Sequence, residues 1–186
     1  MKRYGMKWFV VAMVLFGLEM CTPVSAQQPK EITSGSKGCV GLFDSRAVAL
    51  AYYRSKEFIT QMNELKTEYK KAKESGDMKR IEELAVKGPV QQDLMHKQVF
   101  SIWSVENILE KIQGKLPEIA RQADVDAIVS KWNIAYKRAG VEFIDITDPL
   151  VRAFNPDKKT LEIIKDIQKQ EPVPLEDLKS HEDEGK

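Results

Sequence analysis

The stretch VALAYYRSKEFITQMNELKTEYKKA, from Val48 to Ala72, decides how the chain is read. Positions 48, 51, 55, 58, 62, 65, 69 and 72 carry Val, Ala, Ser, Phe, Met, Leu, Tyr and Ala. Alternating steps of three and four wind these side chains into one stripe along a helix, a heptad seam whose polar member is Ser55. Asp44 or Ser45 supplies a capping oxygen for a helix that starts near Arg46. The seam stops at Ser75-Gly76-Asp77, a turn signal, and Gly88-Pro89 follows, where proline cannot continue a helix but can open one. The same spacing then returns at 95, 98, 102, 105, 109, 112, 116, 119 and 123 with Met, Gln, Ile, Val, Leu, Ile, Leu, Ile and Ala. Two such segments joined by a glycine-containing link predict a long antiparallel coiled-coil hairpin over 46–123. Its tip falls within 74–89, and its arms measure about 40 and 50 Å at 1.5 Å per residue. Gly114 and Pro117 are expected to bend the second arm near its base.

Outward from the hairpin the period changes. Cys39-Val-Gly-Leu-Phe43 is a short apolar run of strand type, and Val125-Asp-Ala-Ile-Val129 alternates in the same way. Asn133-Ile-Ala-Tyr136 reads as another short strand, Lys137 to Gly140 as a turn, and Val141 to Ile146 as a further extended piece. Asp148-Pro149 starts a helix with a capping residue and a proline, and Asn155-Pro156 repeats the device before Leu161, Ile163, Ile164 and Ile167. From Gln170 the chain has too little apolar surface to order itself, so 170–186 is expected to be a disordered tail.

The N-terminus stands apart. Lys2, Arg3 and Lys7 precede an apolar run from Trp8 to Leu18, and Val24-Ser25-Ala26 has the small-x-small form that signal peptidase reads. About 11 apolar residues are too few to span a hydrocarbon core that needs roughly 20, so 1–26 is expected to be a cleaved signal peptide, with no stable membrane insertion afterwards. Residues 27–37 read as a flexible leader. Without the signal the chain holds 26 Lys+Arg and 27 Asp+Glu, a balance that argues against nucleic acid as a ligand. Cys39 then has no cysteine partner in an exported chain; a buried thiol and an intermolecular bridge are the two readings.

Three strands of about five residues give one chain little sheet and leave unpaired edges. The fold class is therefore α+β and mostly helical, with a hairpin projecting from a small β body (38–45 and 124–169) assembled between subunits of a homo-oligomer. Val40, Leu42, Phe43, Val125, Ile128, Val129, Ile134 and Tyr136 are the residues expected to build that body.

This order of elements resembles the Skp/OmpH family of periplasmic chaperones. Ala123-Asp-Val-Asp-Ala-Ile-Val129 is similar to the family's acidic-apolar second strand, Asn133–Tyr136 to its third, and Asp145-Ile-Thr147 to its entry into the final helix. Val40 to Ser45 with Ala47 and Val48 resembles the first strand and the start of the hairpin, so the likeness covers about residues 38–155. It implies a trimer whose helical tentacles hold unfolded outer-membrane proteins without ATP. The family's best-known members are strongly basic, whereas 54–124 here counts 13 Lys+Arg against 12 Asp+Glu.

Holding an unfolded chain needs apolar surface that stays exposed. Tyr52, Tyr53 and Ile59 in the first arm and Val99, Phe100 and Trp103 in the second lie off the seam and are the candidate client contacts. His96 and His181 are far apart, and no nucleophile elbow, phosphate loop or HExxH motif occurs, so neither catalysis nor a metal or other cofactor is expected. The expected function is an ATP-independent periplasmic holdase for unfolded outer-membrane and envelope proteins. The alternative is a structural coiled-coil spacer or adaptor of the cell envelope.

Overall fold

The computed structural model describes residues 38–178. The expected signal peptide, the leader and the end of the tail (179–186) lie outside the described residues.

Three short strands form one parallel sheet. β1 (Cys39–Phe43) is central, with β2 (Ala127–Ser130) on one side and β3 (Glu142–Asp145) on the other. Val40 sits opposite Ala127 and Phe143, and Leu42 opposite Val129 and Asp145. The strand pairings expected between subunits are thus made within one chain. Parallel neighbours need long crossovers, and the entire helical stretch 45–123 is the crossover from β1 to β2.

The third strand differs from expectation. Asn133–Tyr136 is not a strand: a single 3-10 turn, Lys131–Asn133, is capped by the Ser130 hydroxyl, and the chain stays irregular until Gly140. Gly140, at φ +89°, makes the left-handed turn that delivers Glu142–Asp145 onto the free side of β1. Phe143 and Ile144 point to opposite faces there and give that segment apolar contacts on both, which 133–136 does not have.

One face of the sheet packs on helices. Gly41 and Phe43 lie on it beside Ile128 and Ile144, and a Cβ at Gly41 would meet Ile146 Cδ1 at 2.6 Å and Val125 Cγ2 at 3.2 Å, so only glycine allows this approach. On the opposite face Val40, Leu42, Val129 and Phe143 are half-buried and stand outside the core cluster.

The helical stretch is more broken than the heptads predict. α1 (Ser45–Tyr53) is capped by Asp44 and ends at Arg54. Ser55, the polar member of the seam, does not continue the helix but caps the next one, its Oγ accepting the Phe58 amide at 3.2 Å. α2 (Lys56–Ser75) stops at Gly76 in the left-handed conformation, φ +71°, and Asp77 caps α3 (Met78–Phe100) by accepting the Arg80 amide at 3.0 Å. Gly76-Asp77 is therefore the turn that joins the packed pair α2 and α3. Pro89 lies inside α3 and does not end it.

α3 ends at Phe100, short of the expected arm. Ser101 is extended, and α4 (Glu106–Leu109), a 3-10 stretch (Glu110–Lys115) and α5 (Leu116–Ala123) fold onto the body. The break at Ile112, with φ −116°, falls just before Gly114 and Pro117, where a bend was expected. The paired helices are thus 56–100, about 30–35 Å long, and 45–53 and 101–123 belong to the body rather than to an arm spanning 46–123.

α6 (Thr147–Arg152) and α7 (Lys158–Gln168) close the body. Asp157, not Asn155, is the α7 cap, accepting the Thr160 amide at 2.7 Å. The core joins α1 through Ala47, Val48 and Ala51 to Ile108, Ile112 and Ile119 and to Leu150, Val151, Ile164 and Ile167. The tail is not free from Gln170 onward: the Gln170 carbonyl accepts a hydrogen bond from Arg46 Nη1 at 2.9 Å, and the Val173 amide donates to the Phe100 carbonyl at 2.8 Å.

Candidate functional site

The paired helices carry an apolar seam that two helices only partly close. Met62, Leu65 and Tyr69 of α2 face Leu84, Ala85 and Gly88 of α3 around a cavity of about 340 Å³, with the Lys66 and Lys87 side chains at its rim. Within this pair only Phe58 and Ala72 of α2, and Leu84, Gln98 and Val99 of α3, are buried. A helix with a single neighbour can bury one stripe, so the other apolar side chains remain in water. Ile59, Met78, Val86, Val90 and Phe100 are exposed, and Val86 keeps 64% of its surface in solvent. Near the tip Arg80 donates to Glu68 on α2 and to Glu83 on its own helix, fixing the register at the surface. The first of these ties α3 back to α2.

The six expected client contacts separate into two groups. Ile59, Phe100 and Trp103 are exposed. Tyr52, Tyr53 and Val99 are not: they are core residues, and the expectation that they meet a client is corrected. Tyr52 and Tyr53 pack their rings 5.3 and 4.8 Å from Phe58, and Tyr52 also reaches Phe154 at 5.8 Å. The Tyr53 hydroxyl donates to Gln98 Oε1 at 2.5 Å, and Gln98 Nε2 donates to the Ser104 carbonyl at 2.5 Å and to Asn107 Oδ1 at 2.7 Å. Burial, reinforced by neighbouring Tyr52, pushes the Tyr53 hydroxyl up to about 12. Off-seam position does not mean exposure here, because α1 is covered on all sides by α3, α6 and α7. Ile102, a seam position, is in turn exposed, because the helix has ended before it.

A second polar centre lies at the carboxyl ends of the strands. Asp44 and Arg46 are each 1% exposed. Asp44 Oδ1 accepts from the Arg46 amide at 3.0 Å and Nε at 3.3 Å, and Oδ2 accepts from Arg46 Nη2 at 3.1 Å and Lys131 Nζ at 2.8 Å. Burial pushes the Asp44 carboxyl up, but the hydrogen bonds and charges of Arg46 and Lys131 outweigh it and hold the group below the usual carboxylate range. Both cations also lie over the Trp132 ring, at 5.0 and 4.4 Å from its centre. The sequence reading gave Asp44 as a candidate cap, which it is, but did not join it to Arg46, Lys131 and Trp132, since a lone carboxylate between a strand and a helix carries no further signal.

The eight residues expected to build the β body are also divided. Val40, Leu42 and Val129 come together on the open sheet face, with Lys137 Nζ 4.6 Å from the ring of Phe143 beside them. Phe43 and Ile128 face the helices instead, Val125 packs at Gly41, Ile134 is half-buried and Tyr136 is exposed. Cys39, at the start of β1, is a half-buried free thiol. Among the described residues no three of His, Cys, Asp and Glu gather at metal-binding distances, and no helix is long and apolar enough to cross a membrane. Compared with family models, with curated proteins and with solved structures, the chain matches none.

Proposed function

We propose that the chain is an ATP-independent holdase of the periplasm, exported by its N-terminal segment, which keeps unfolded outer-membrane and other envelope proteins soluble. One observation supports this above the others: the α2–α3 pair keeps apolar side chains in water along about 30 Å, from Phe100 and Ile59 near the body to Val86 and Met78 toward the tip, interspersed with lysine and glutamate. No single contact on such a surface is strong. Many weak contacts to one flexible chain add up through effective concentration, and the charges between them keep the empty surface soluble.

In this reading the pair is a coiled-coil arm that projects from a body shared between copies, a trimer by the resemblance to Skp/OmpH proteins. The open sheet face supports self-association. Parallel sheets are usually covered on both sides; here one face packs on helices, while Val40, Leu42, Val129 and Phe143 on the other stand outside the core cluster of the described residues.

The test is aggregation of several unrelated denatured β-barrel proteins, followed by light scattering. Suppression at near-stoichiometric ratios is expected. No change at a large excess, with capture of one folded partner instead, would overturn the reading in favour of an adaptor. Replacing Ile59 and Phe100 together by serine is expected to weaken client retention several-fold and to leave the mass of the assembly unchanged.

A further inference from the structure

One step of the α3 seam carries no side chain. Leu84 is buried, and the residue that shares its helix face one turn later is Gly88. Glycine inside a helix costs stability relative to alanine, and nothing in the backbone asks for it here: its φ is not positive, and a Cβ at Gly88 would meet no atom within 4 Å. The space beside it is the cavity of about 340 Å³ walled by Met62, Leu65, Tyr69 and Leu84. Charge around that cavity is one-sided. Lys66 and Lys87 stand at its rim, and Lys73 Nζ lies 4.7 Å from the centre of the Tyr69 ring. None of the three lysines is in an ion pair among the described residues, because Arg80 takes Glu68 and Glu83 and Lys70 takes Glu74.

We propose that this cavity takes one aromatic side chain of an unfolded client segment, and selects segments in which acidic residues flank that aromatic residue. The inference rests on the holdase reading and names the client chemistry that the arm prefers. An apolar cavity of roughly 150 Å³ already takes a benzene ring, so the space suffices for an aromatic side chain. Its wall suits a ring: Tyr69 offers an aromatic edge or face, and the Met62 thioether is a favourable neighbour of aromatic carbon. Burial of the ring supplies the affinity. The lysines supply the choice, since each exposed pair with a client carboxylate is weak but all three favour the same sign. A second copy is the poorer occupant: two arms docked face to face at this cavity would set these lysines against their own copies.

The experiment titrates the ¹⁵N-labelled chain with short glycine-serine peptides carrying a central Asp-Phe-Asp, Lys-Phe-Lys or Asp-Ala-Asp, and follows the amide shifts. Shifts centred on Leu65, Tyr69, Leu84 and Gly88 are expected, with affinity about ten-fold higher for Asp-Phe-Asp than for either other peptide. Gly88→Leu puts a side chain into the gap; it should raise the melting temperature, because leucine is the better helix former, and weaken Asp-Phe-Asp binding at least about ten-fold. Lys66→Glu combined with Lys87→Glu should reverse the preference between the two Phe peptides, with unchanged circular dichroism. Shifts centred elsewhere, equal affinity for the two Phe peptides, or a Gly88→Leu protein that binds like the wild type overturn the proposal. So do shifts of the same amides when the protein alone is concentrated, because another copy then covers the cavity. Aggregation suppression by the wild type separates the two readings: if it persists beside any of these overturning results, the holdase stands without this site, and if it is absent while Asp-Phe-Asp still binds at Gly88, the site stands and the holdase falls.

Discussion

α1 and α2 are consecutive helices on one three-four seam, and they end in opposite surroundings. Eight of the nine residues of α1 are buried, whereas α2, at twenty residues, buries only Phe58 and Ala72. The spacing is the same; the neighbours differ. α1 starts at the end of the central strand and is enclosed by α3, α6 and α7, while α2 leaves the body at Ser55, touches it through Phe58 and Met62, and beyond them packs chiefly on α3. A heptad therefore specifies a stripe, and the number of elements around the stripe decides whether it becomes core or stays in solvent.

The largest difference between the two regions should come from charge at the base of α1. Asp44→Ala leaves Arg46 buried without its carboxylate, removes the α1 cap and frees Lys131, which can turn into water. A loss of about 3–5 kcal/mol in urea unfolding is expected. A loss under about 1 kcal/mol would mean that this pair does not secure the body. The pH dependence has a definite sign. The carboxyl is held low when folded, so its contribution is complete above the unfolded carboxylate range and is lost as pH falls through the lower folded value. Acid titration of Asp44→Asn, against wild type, should show that slope removed.

Packing gives the next step down. Leu150→Ala in the fully buried core is expected to cost about 2–5 kcal/mol, whereas Leu65→Ala, on the half-open seam of α2, should cost under about 1 kcal/mol because water already reaches the site. Equal losses would remove the distinction between body and arm.

How much of this was legible follows from the same contrast. The turn at Gly76, the strand Cys39–Phe43 and the mostly helical character follow from local chemistry, namely a left-handed glycine, a β-type apolar run and the heptads. What failed needed tertiary knowledge. Ser55 looked like a blemish in a seam because its hydroxyl gives the same signal mid-helix and at a cap, and two capped helices join there. Val105, Ile112 and Ile119 continue the heptad count past Phe100 although the helix does not, since the body core asks for apolar residues at similar intervals. Asn133–Tyr136 has strand composition, but the side of β1 that β2 leaves open is taken by Glu142–Asp145, and Tyr52 and Tyr53 lie off the seam yet are buried because α3, α6 and α7 enclose α1. The interleaved Asp44, Arg46 and Lys131 centre joins residues 87 positions apart, which no local pattern reveals.

Tyr53 tests the buried side of the junction at high pH. Its hydroxyl is raised from 10.0 to about 12, so the neutral form is favoured by the folded state; the stabilisation is complete below pH 10 and is lost as pH rises from 10 toward 12. Tyr53→Phe should flatten that alkaline limb, at a cost of about 1 kcal/mol at neutral pH for the bond to Gln98. A wild-type limb already flat between pH 10 and 12 would mean that the phenol is open to water.

The smallest effect belongs to the tip, and it separates the two regions most cleanly. Gly76 adopts φ +71°, and a methyl group there would meet nothing within 4 Å, so Gly76→Ala changes backbone strain without changing packing. About 1 kcal/mol is expected. If α2 and α3 open independently of the body, amide hydrogen exchange should speed up about five-fold from Leu65 to Val86, while exchange at Val48 and Leu150 and the urea midpoint stay as in wild type. If helices and body unfold as one unit, the same substitution shifts the midpoint and speeds every slowly exchanging amide equally. Only the first outcome is compatible with an arm whose apolar stripe is available to a client while the body stays closed.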